Sequence, residues 1–481
     1  MITLLLAVPA FAQDLTLDVP TLIAGETADV VIEGLDPSET VFLVRGGSVG
    51  PGACPAALGG SCLDVTGVPQ VAGAAIADGA GVALVTLTLP SGSVGASAGL
   101  QAVAIRGGVD SAFSDAQAVS VEPSQPCPIY INDLAAPGGT GTVGAPYATI
   151  QEALDARGTC ESLMLEPGVY PEQIDATGHT AVIESTNGPT VTRLTAVTTP
   201  SFLISTGNAD ITLRGIAADC TNATVLTYGI SVVDSAITLE NSSVDDCDTG
   251  LSAQPGKITI TDSSFRGNTT AVSTAYDRTE LTVTHSEFTD NIDDLELWGG
   301  ELHIEGNQFN HPSSPWGYGR PAVTVSDANL TFVNNVVACT DLDGGLEVTG
   351  LGPSLIAHNT ILAPSAWGIE FIDDNGAVRF VNNNVVSGAI AIDTLYGVSG
   401  WPTMENNNIF PNNVFGPGSP VGLAGNISAD PLFVPGSYVL QAASSCVDAG
   451  LDLSADGIVD DVDGTARPLG AGYDIGAYES W

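Results

Sequence analysis

From residue 237 onward, hydrophobic and polar positions recur in a register of eight residues. In eight segments the third and eighth positions are apolar in every copy, and the sixth is always Ser or Asn. Successive segments begin 21, 23, 21, 28, 24, 24 and 24 residues apart. The segments are ITLENSSV (237), ITITDSSF (258), LTVTHSEF (281), LHIEGNQF (302), LTFVNNVV (330), SLIAHNTI (354), VRFVNNNV (378) and PTMENNNI (402).

A β-rich repeat of this length, without helical periodicity, predicts coils stacked into a solenoid. Each coil contributes strands that pair in parallel with the coils on either side, about 4.8 Å away. Four rougher turns near residues 129, 163, 182 and 211 extend the count to about twelve coils. A leucine-rich repeat is the competing interpretation, but its spaced leucines are absent. We therefore predict a parallel β-helix over residues 129–427.

The asparagines inside apolar stretches, as in VRFVNNNV, have a structural explanation. We predict that the sixth position is a corner between strands, where Asn tolerates the left-handed backbone conformation. Its amide can also bond to the identical amide one coil away and so form a ladder. A structural role is therefore favoured over a catalytic one for these side chains.

The first part of the chain has a different pattern. Residues 14–122 alternate short Val- and Leu-rich strands, such as ADVVIEGL and GVALVTLTL, with Gly, Pro and Ser turns. This spacing predicts an immunoglobulin-like β-sandwich. The proline-rich stretch EPSQPCP (122–128) marks its boundary with the β-helix, and we assign residues 428–481 to a C-terminal capping module.

The N-terminus, MITLLLAVPAFAQ, has a short apolar core that ends in an A-x-A cleavage pattern. We predict a signal peptide over residues 1–12, with a first buried strand as the alternative. No later run reaches the roughly 20 apolar residues of a membrane span. We therefore expect no transmembrane segment and a secreted or outer cell-surface location, where disulfides persist.

The charge balance narrows the choice of partners. The chain has 11 Lys and Arg residues against 55 Asp and Glu, which gives a net charge of −44. Nucleic acid and anionic lipid both need basic patches, so neither is an expected partner. Neutral glycans and cations are compatible with such an acidic surface. For the oligomeric state, we expect a monomer.

Two stretches carry a resemblance to known proteins. They are GAPYATIQEALDA…LMLEPGVYPEQI, and the tail DPLFV…YVLQAASSCVDAG…DVDGTARPLGAGYDIGAYE. The first resembles the opening coil of the right-handed parallel β-helix, or pectate-lyase-like, superfamily, in which a short helix caps the core. The tail resembles the choice-of-anchor Q module of bacterial surface proteins, in which D-x-D-G-x-x-R-P closes the fold. The resemblance implies fold and export, but this fold hosts many functions.

The eight cysteines predict disulfides between neighbouring positions. Equivalent places on adjacent coils lie about 5 Å apart, within disulfide range. Stacked free thiols are the alternative, and Cys339 and Cys446 are left over, so their pairing stays open. The predicted pairs on adjacent coils are Cys127–Cys160 and Cys220–Cys247, and Cys54 and Cys62 lie in one long loop that a third predicted disulfide, Cys54–Cys62, would close.

The sequence leaves open whether the protein is an enzyme. Pectin hydrolases of the resembling fold carry Asn-Thr-Asp, Asp-Asp and Gly-His-Gly, and of these only Asp-Asp occurs here, for example at 245–246, 293–294 and 373–374. Asp293, Asp294 and Glu296 are the catalytic candidates, because a glycosidase needs two carboxyls about 5 to 10 Å apart. Solvated aspartates are the competing interpretation. We also predict a surface ion pair between Asp245 and Arg266 on adjacent coils.

Aromatic residues indicate a candidate substrate surface. The longest coil carries the insertion NHPSSPWGYGRP, and loops on a rigid scaffold are where binding residues usually sit. Packing of the tryptophans against the core is the alternative. The candidate substrate-binding residues are Trp298, Trp316, Tyr318, Trp367 and His311.

The acidic stretch DLSADGIVDDVDGT (452–465) suits calcium, because carboxylates on a glycine-rich loop supply hard oxygen ligands. Its spacing does not match an EF-hand, and a fold-closing role is the alternative. The candidate ligands are Asp452, Asp456, Asp461 and Asp463.

Together these features predict an exported β-helix protein that binds polysaccharide or mediates adhesion through a surface glycan. A polysaccharide lyase or glycoside hydrolase is one alternative, and a purely structural stalk is another. A groove with a carboxylate pair favours the enzyme, and a smooth rod favours the stalk.

Overall fold

The computed structural model describes residues 15–58, 61–93, 95–106, 111–122, 127–196, 202–221, 227–311, 320–339, 344–372, 377–388, 390–395, 402–416 and 418–481. The predicted signal peptide lies outside these ranges. The chain forms two compact units, Met1–Gln125 and Pro126–Trp481. Among the described residues, no helix is long and apolar enough to cross a membrane.

The first unit consists of two sheets with a shared core. Alternate residues of Thr27–Glu33 point inward, and Val30 and Ile32 join Leu43 and Ala102 of the other sheet in one hydrophobic cluster. One sheet has the strand order Thr16–Asp18, Thr27–Glu33, Ala83–Thr88. The other has the order Leu22–Ile23, Gln117–Glu122, Ser97–Ala104, Thr40–Gly46, Gln70–Ile76, with Ala112–Phe113 beside Ser97–Ala104. Short 3₁₀ turns lie at Ala56–Leu58 and Ser91–Ser93.

The second unit is a parallel β-helix with three sheets, here called A, B and C. Sheet A contains Ile129–Ile131, Ser162–Leu165, Thr180–Ser185, Asp210–Arg214, Ser235–Glu240, Gly256–Thr261, Glu280–Thr284, Glu301–Glu305, Asn329–Val333, Ser354–Ala357, Val378–Val381 and Thr403–Glu405. Sheet B contains Gly168–Pro171, Thr192–Thr195, Ala217–Asp219, Ser243–Asp245, Ser264–Arg266, Glu287–Thr289, Gln308–His311, Val336–Cys339, Thr360–Ala363, Asn384–Ser387 and Asn408–Phe410. Sheet C contains Ile174–Asp175, Phe202–Gly207, Tyr228–Val233, Thr249–Ala253, Thr270–Thr274, Asp293–Trp298, Val323–Ser326, Leu346–Thr349, Trp367–Ile372, Ile390–Leu395 and Val414–Phe415.

The solenoid has about nine regular turns, slightly fewer than the predicted twelve. From Thr180–Ser185 to Ile390–Leu395, every strand has at least three residues. The turn before this run ends in the two-residue strand Ile174–Asp175, and the turn after it ends in Val414–Phe415. The prediction counted these two shorter end turns, and the single strand Ile129–Ile131 before them, as full coils.

The pairing register confirms the repeat alignment. The third positions stack along sheet A, for example Leu239 on Ile260, and the eighth positions stack along sheet B, for example Val244 on Phe265. Both columns are buried in one continuous core. Stacked aromatic rings extend this core, with centroids 4.8 to 6.2 Å apart along Phe265, Phe288, Phe309 and Phe332.

At the corner between sheets A and B, two different positions form the amide ladder and adopt the left-handed backbone, whereas the sequence prediction assigned both roles to the sixth position. The predicted amide ladder is present at the sixth position, where the Nδ2 of each Asn donates to the next Oδ1 over 2.9 to 3.1 Å. The prediction of left-handed backbone at the sixth position was wrong, because the fifth position adopts it, with φ between 45° and 69°. The fifth-position residues are Asn241, Asp262, His285, Gly306, Asn334, His358, Asn382 and Asn406.

The α-helix Ile150–Ala156 covers the first coil, as the resemblance implied. Ile150, Ala153 and Leu154 are buried in the solenoid core. The Glu172 carboxylate accepts the backbone N–H groups of Ile150 and Gln151 at 2.8 and 3.0 Å. This satisfies two donors that a helix N-terminus leaves without intrahelical partners.

The three predicted disulfides are confirmed. Cys54–Cys62, Cys127–Cys160 and Cys220–Cys247 are bonded, with Cα–Cα distances of 3.9, 5.5 and 4.9 Å. Cys339 and Cys446 are buried thiols rather than a disulfide. The Cys339 thiol donates to the carbonyl of Gly344 at 3.2 Å.

Candidate functional site

The acidic candidates lie on the sheet C strand Asp293–Trp298. Asp293 forms an ion pair with Arg320, with Oδ2 and Nη1 2.5 Å apart. Burial raises the pKa of Asp293, and the Arg320 guanidinium opposes that shift. Glu296 points outward and lies in register with Ser273 and Thr324 of the neighbouring strands.

Asp294 and His311 form a buried pair beneath this surface. His311 Nδ1 lies 3.2 Å from Asp294 Oδ2, and neither side chain has exposed surface. The other Asp294 oxygen accepts Asn291 Nδ2 at 3.0 Å. The structure therefore places these two candidates in the interior, where neither contacts solvent.

The candidate aromatic residues are only partly brought together. Trp298 is 52% exposed on sheet C, and Trp367 lies three strands away on the same sheet, about 14 Å along the solenoid axis. The Trp367 ring covers Gly344, where an added Cβ would lie 2.3 Å from it. Trp316 and Tyr318 lie outside the described residues.

Three of the four candidate carboxylates, those of Asp452, Asp456 and Asp461, bind groups of the chain itself. Asp452 accepts the Ser454 N–H at 2.8 Å, and Asp456 pairs with Arg379 at 2.8 Å. Asp461 accepts three backbone N–H groups, including that of Asp463 at 2.9 Å. Across the described ranges, no group of three or more His, Cys, Asp or Glu side chains is arranged to hold a metal ion. Calcium binding stays a prediction.

The stretch DVDGTARP links the C-terminal module to the solenoid through Arg467. Arg467 and Glu479 form an ion pair at 2.7 Å with no exposed side-chain surface. Arg467 also donates to Asn334 Oδ1 at 3.1 Å, and Asn382 Nδ2 donates to the Leu451 carbonyl at 2.8 Å. The left-handed corner residues of the last coils therefore anchor this module.

A charged groove lies on the outer face of sheet B. It encloses about 340 Å³, within the range of small-molecule sites. The Arg266 side chain is 69% exposed and pairs with Asp290 at 3.6 Å, so the predicted ion pair between Asp245 and Arg266 was wrong. The polar lining consists of Thr190, Arg193, Ser243, Asp245, Ser264, Arg266, Glu287 and Thr289.

Asp245 lines this groove, and Asp219 lies on the neighbouring rung, outside the lining and nearly buried. Asp219 and Asp245 occupy the same register position on adjacent sheet B strands. The Asp219 carboxylate accepts Arg193 Nη1 at 2.6 Å and the Thr221 N–H at 2.9 Å. Burial, together with the nearby charge of Asp219, raises the pKa of Asp245, while a hydrogen bond from Ser243 opposes the shift.

The sequence prediction missed this groove, although the alignment contained a signal for it. One residue beyond the eight-residue repeat, the ninth position aligns Asp245 and Arg266, and the structure adds Asp219 from the turn before the regular repeat. The same column becomes apolar in the later coils. Its later members are Ala338, Leu362, Val386 and Phe410.

The first unit contains a cavity of a different character. It encloses about 280 Å³ and is lined mainly by apolar side chains such as Phe42, Leu58 and Val103. Its one polar side chain, Gln70, accepts Arg45 Nε at 3.0 Å. The sheet B groove is therefore the better candidate for polar chemistry.

No family model, curated protein or solved structure matches the chain. Function must therefore be inferred from the groove itself.

Proposed function

We propose that the protein is an exported β-helix protein that binds a polysaccharide in the sheet B groove. One observation carries the proposal: guanidinium, carboxylate and hydroxyl groups line the same cavity on a rigid sheet. Sugars present both hydroxyl donors and acceptors, so a lining with both kinds of partner suits them. A purely structural stalk would not require such a groove.

The charge balance favours a neutral polymer. With 55 acidic and 11 basic residues, the long-range field of the protein repels an anionic chain. Arg193 is engaged by Asp219 at 2.6 Å, and its charge is therefore largely compensated. Arg266, which makes a longer contact of 3.6 Å, supplies donors toward the groove.

Export is the second part of the proposal. Three disulfides support an oxidising location, and the predicted signal peptide and choice-of-anchor Q resemblance agree with it. The buried Arg467–Glu479 pair supports the fold-closing role that this resemblance assigns to D-x-D-G-x-x-R-P. Membership of the pectate-lyase-like superfamily belongs to the same proposal and rests on the β-helix together with the sequence resemblance.

Binding is tested by calorimetry on soluble galactomannan, xyloglucan, mixed-linkage β-glucan, arabinan and dextran, with polygalacturonate as the anionic comparison. We expect at least one neutral polymer to bind, and Arg266→Ala to weaken that binding at least tenfold, about 1.4 kcal/mol. Arg278→Ala is the matched control, because Arg278 is exposed in a loop outside the groove. Binding to none of the neutral polymers, or equal loss in both variants, would reject the proposal.

A further inference from the structure

We propose that the first unit binds an alkyl carboxylate, such as decanoate, in a cavity between its two sheets, with Arg45 holding the carboxylate. This cavity, here called the inter-sheet cavity, shares only Val71 with the apolar cavity beside Phe42 and Leu58. It lies in the first unit, whereas the sheet B groove lies in the second. The proposal therefore goes beyond polysaccharide binding and does not depend on it.

The inter-sheet cavity is an apolar space at one end of the core of the first unit. It encloses about 390 Å³, which is within the range of small-molecule sites. Packed sheets lie about 10 Å apart, so the space between them is a narrow layer that suits an alkyl chain. Its walls come from both sheets and belong to the hydrophobic cluster between them. The main apolar side chains are Leu22, Leu87, Leu89, Leu100, Val119 and Val121.

Arg45 brings a positive charge to the mouth of this cavity. Side chains alternate between the two faces of a strand, and Val41 and Leu43 of Thr40–Gly46 are buried between the sheets. Arg45 is the next residue on that inward face and lies in register with the buried Leu100. Arg45 itself is exposed, and among the described residues of the lining it alone carries a charge.

The Arg45 guanidinium has hydrogen-bond donors to spare. Gln70 Oε1 accepts its Nε at 3.0 Å and its Nη2 at 2.5 Å, which fixes the plane of the group. A guanidinium has five N–H donors, so those of Nη1 stay available for the oxygens of a ligand carboxylate. Arg–carboxylate hydrogen bonds are among the strong ones in proteins.

The contrast with Arg106 shows that Arg45 is not neutralised. These two are the only basic residues of the first unit. Arg106 is held by Glu39 at 2.6 Å and lies 3.9 Å from Asp36. Within the part of this unit that the structure describes, no carboxylate lies within ion-pair distance of Arg45. A ligand carboxylate would supply the missing partner.

The acidic character of the whole chain does not exclude such a ligand. Charges further away than about 8 Å are largely screened at physiological ionic strength. A single carboxylate is therefore repelled far less than a polyanion. Burial of the alkyl chain adds a favourable contribution, and each buried CH₂ group should raise the affinity about fourfold.

Calorimetry on the full-length protein tests the proposal, with hexanoate, octanoate, decanoate and dodecanoate below their micelle concentrations and 1-decanol as the uncharged comparison. We expect the affinity to rise about fourfold per CH₂ group until the cavity is full. Decanol should bind at least tenfold more weakly than decanoate, because it cannot form the charged hydrogen bonds. Binding of none of the carboxylates, or equal binding of decanol and decanoate, would overturn the proposal.

Variants then locate the site. Arg45→Met removes the charge at an exposed position and should weaken decanoate binding at least tenfold while decanol binding stays unchanged. Arg278→Met, which removes the same charge from an exposed loop of the second unit, should leave decanoate binding unchanged. Full decanoate affinity in Arg45→Met, or an equal loss in both variants, would contradict the role of Arg45.

A second substitution tests the cavity itself. Ala98 lines it and lies in register with Val119, so Ala98→Leu should fill part of the space. We expect this variant, at an unchanged melting temperature, to weaken dodecanoate binding more than octanoate binding. Unchanged binding of the whole series would show that the alkyl chain lies elsewhere. Polysaccharide binding, measured on the same variants, should not change, so the two proposals can fail separately.

Discussion

At the scale of single residues, the buried asparagines are explained by complete hydrogen bonding. Asn383 Nδ2 donates to Asn407 Oδ1 at 3.1 Å and to the Ile356 carbonyl at 2.8 Å. Its Oδ1 accepts both the backbone N–H and the Nδ2 of Asn359 at 3.0 and 2.9 Å. A buried amide costs little when all of its groups are paired, so an apolar segment tolerates it.

Replacing Asn383 by Leu should lower the free energy of unfolding by about 1–3 kcal/mol. The substitution leaves the buried Asn359 backbone N–H without its acceptor, and it removes one of the two acceptors of the Asn359 Nδ2 and one of the two donors to the Asn407 Oδ1. Urea denaturation measures the loss, with Asn413→Leu as a control at an exposed position. An equal effect of both substitutions would show that the ladder contributes nothing.

His358 is a second residue whose environment has a measurable consequence. Its Nε2 accepts Asn382 Nδ2 at 2.9 Å, and its side chain is fully buried. Burial, and then the charge of Arg467, holds the pKa of His358 well below its usual 6.5. Below pH 6.5, His358 therefore binds a proton in the unfolded chain but not in the folded chain. The free energy of unfolding falls as the pH decreases.

His358→Asn should remove this pH dependence, because Asn occupies the equivalent corner in Asn334 and Asn382. Between pH 7.5 and 5.5, we expect the wild type to lose about 1.4 kcal/mol of stability relative to the variant. Paired urea titrations at the two pH values measure the difference. Parallel losses in the two proteins would mean that His358 takes up its proton in the folded state.

At the scale of elements, a buried charge pair lies inside the C-terminal module. Arg467 donates to Glu479 at 2.7 Å and to the Gly476 and Ala477 carbonyls at 3.0 Å each. Glu479 also accepts the Asp474 N–H at 2.8 Å. Removing one member of such a pair leaves an uncompensated charge in the interior.

Arg467→Met should destabilise the protein by about 3–5 kcal/mol. The double variant Arg467→Met/Glu479→Gln should lose less, because Gln removes the unpaired charge and keeps an acceptor for the Asp474 N–H. Chemical denaturation of both variants gives the comparison. A double variant as unstable as the single one would show that the charge of Glu479 is not the cause.

The elements also show what the sequence alone could predict. The core columns and the disulfides Cys127–Cys160 and Cys220–Cys247 followed from local periodicity, because stacked coils place equivalent residues about 5 Å apart. The left-handed corner was misplaced by one residue because Asn occurs at both the fifth and sixth positions of the later repeats. The fifth position also holds Asp262, His285 and Gly306, a mixture that in retrospect marks left-handed backbone.

The sheet B groove was harder to predict. Asp219 belongs to the turn near residue 211, which lies before the regular repeat, so its register with Asp245 was not fixed by the alignment. The burial of Asp294 and His311 was also not predicted, because sequence spacing does not show which side chains the folded solenoid encloses. Both features depend on three-dimensional stacking rather than on local pattern.

At the scale of the whole molecule, net charge and the sheet B groove together support the proposed binding of a neutral polysaccharide. Two of the 11 basic residues, Arg193 and Arg266, line one cavity on sheet B in a chain of net charge −44. The exposed Trp298 lies on sheet C and defines the competing surface. The two surfaces predict different places for a bound sugar chain.

The most direct test is a crystal structure with an oligosaccharide from the tightest-binding neutral polymer. We predict density for the sugar chain in the sheet B groove, with hydroxyl groups within hydrogen-bonding distance of Ser243, Arg266 and Glu287. A sugar chain stacked on Trp298 of sheet C, with the sheet B groove occupied by solvent, would contradict the account.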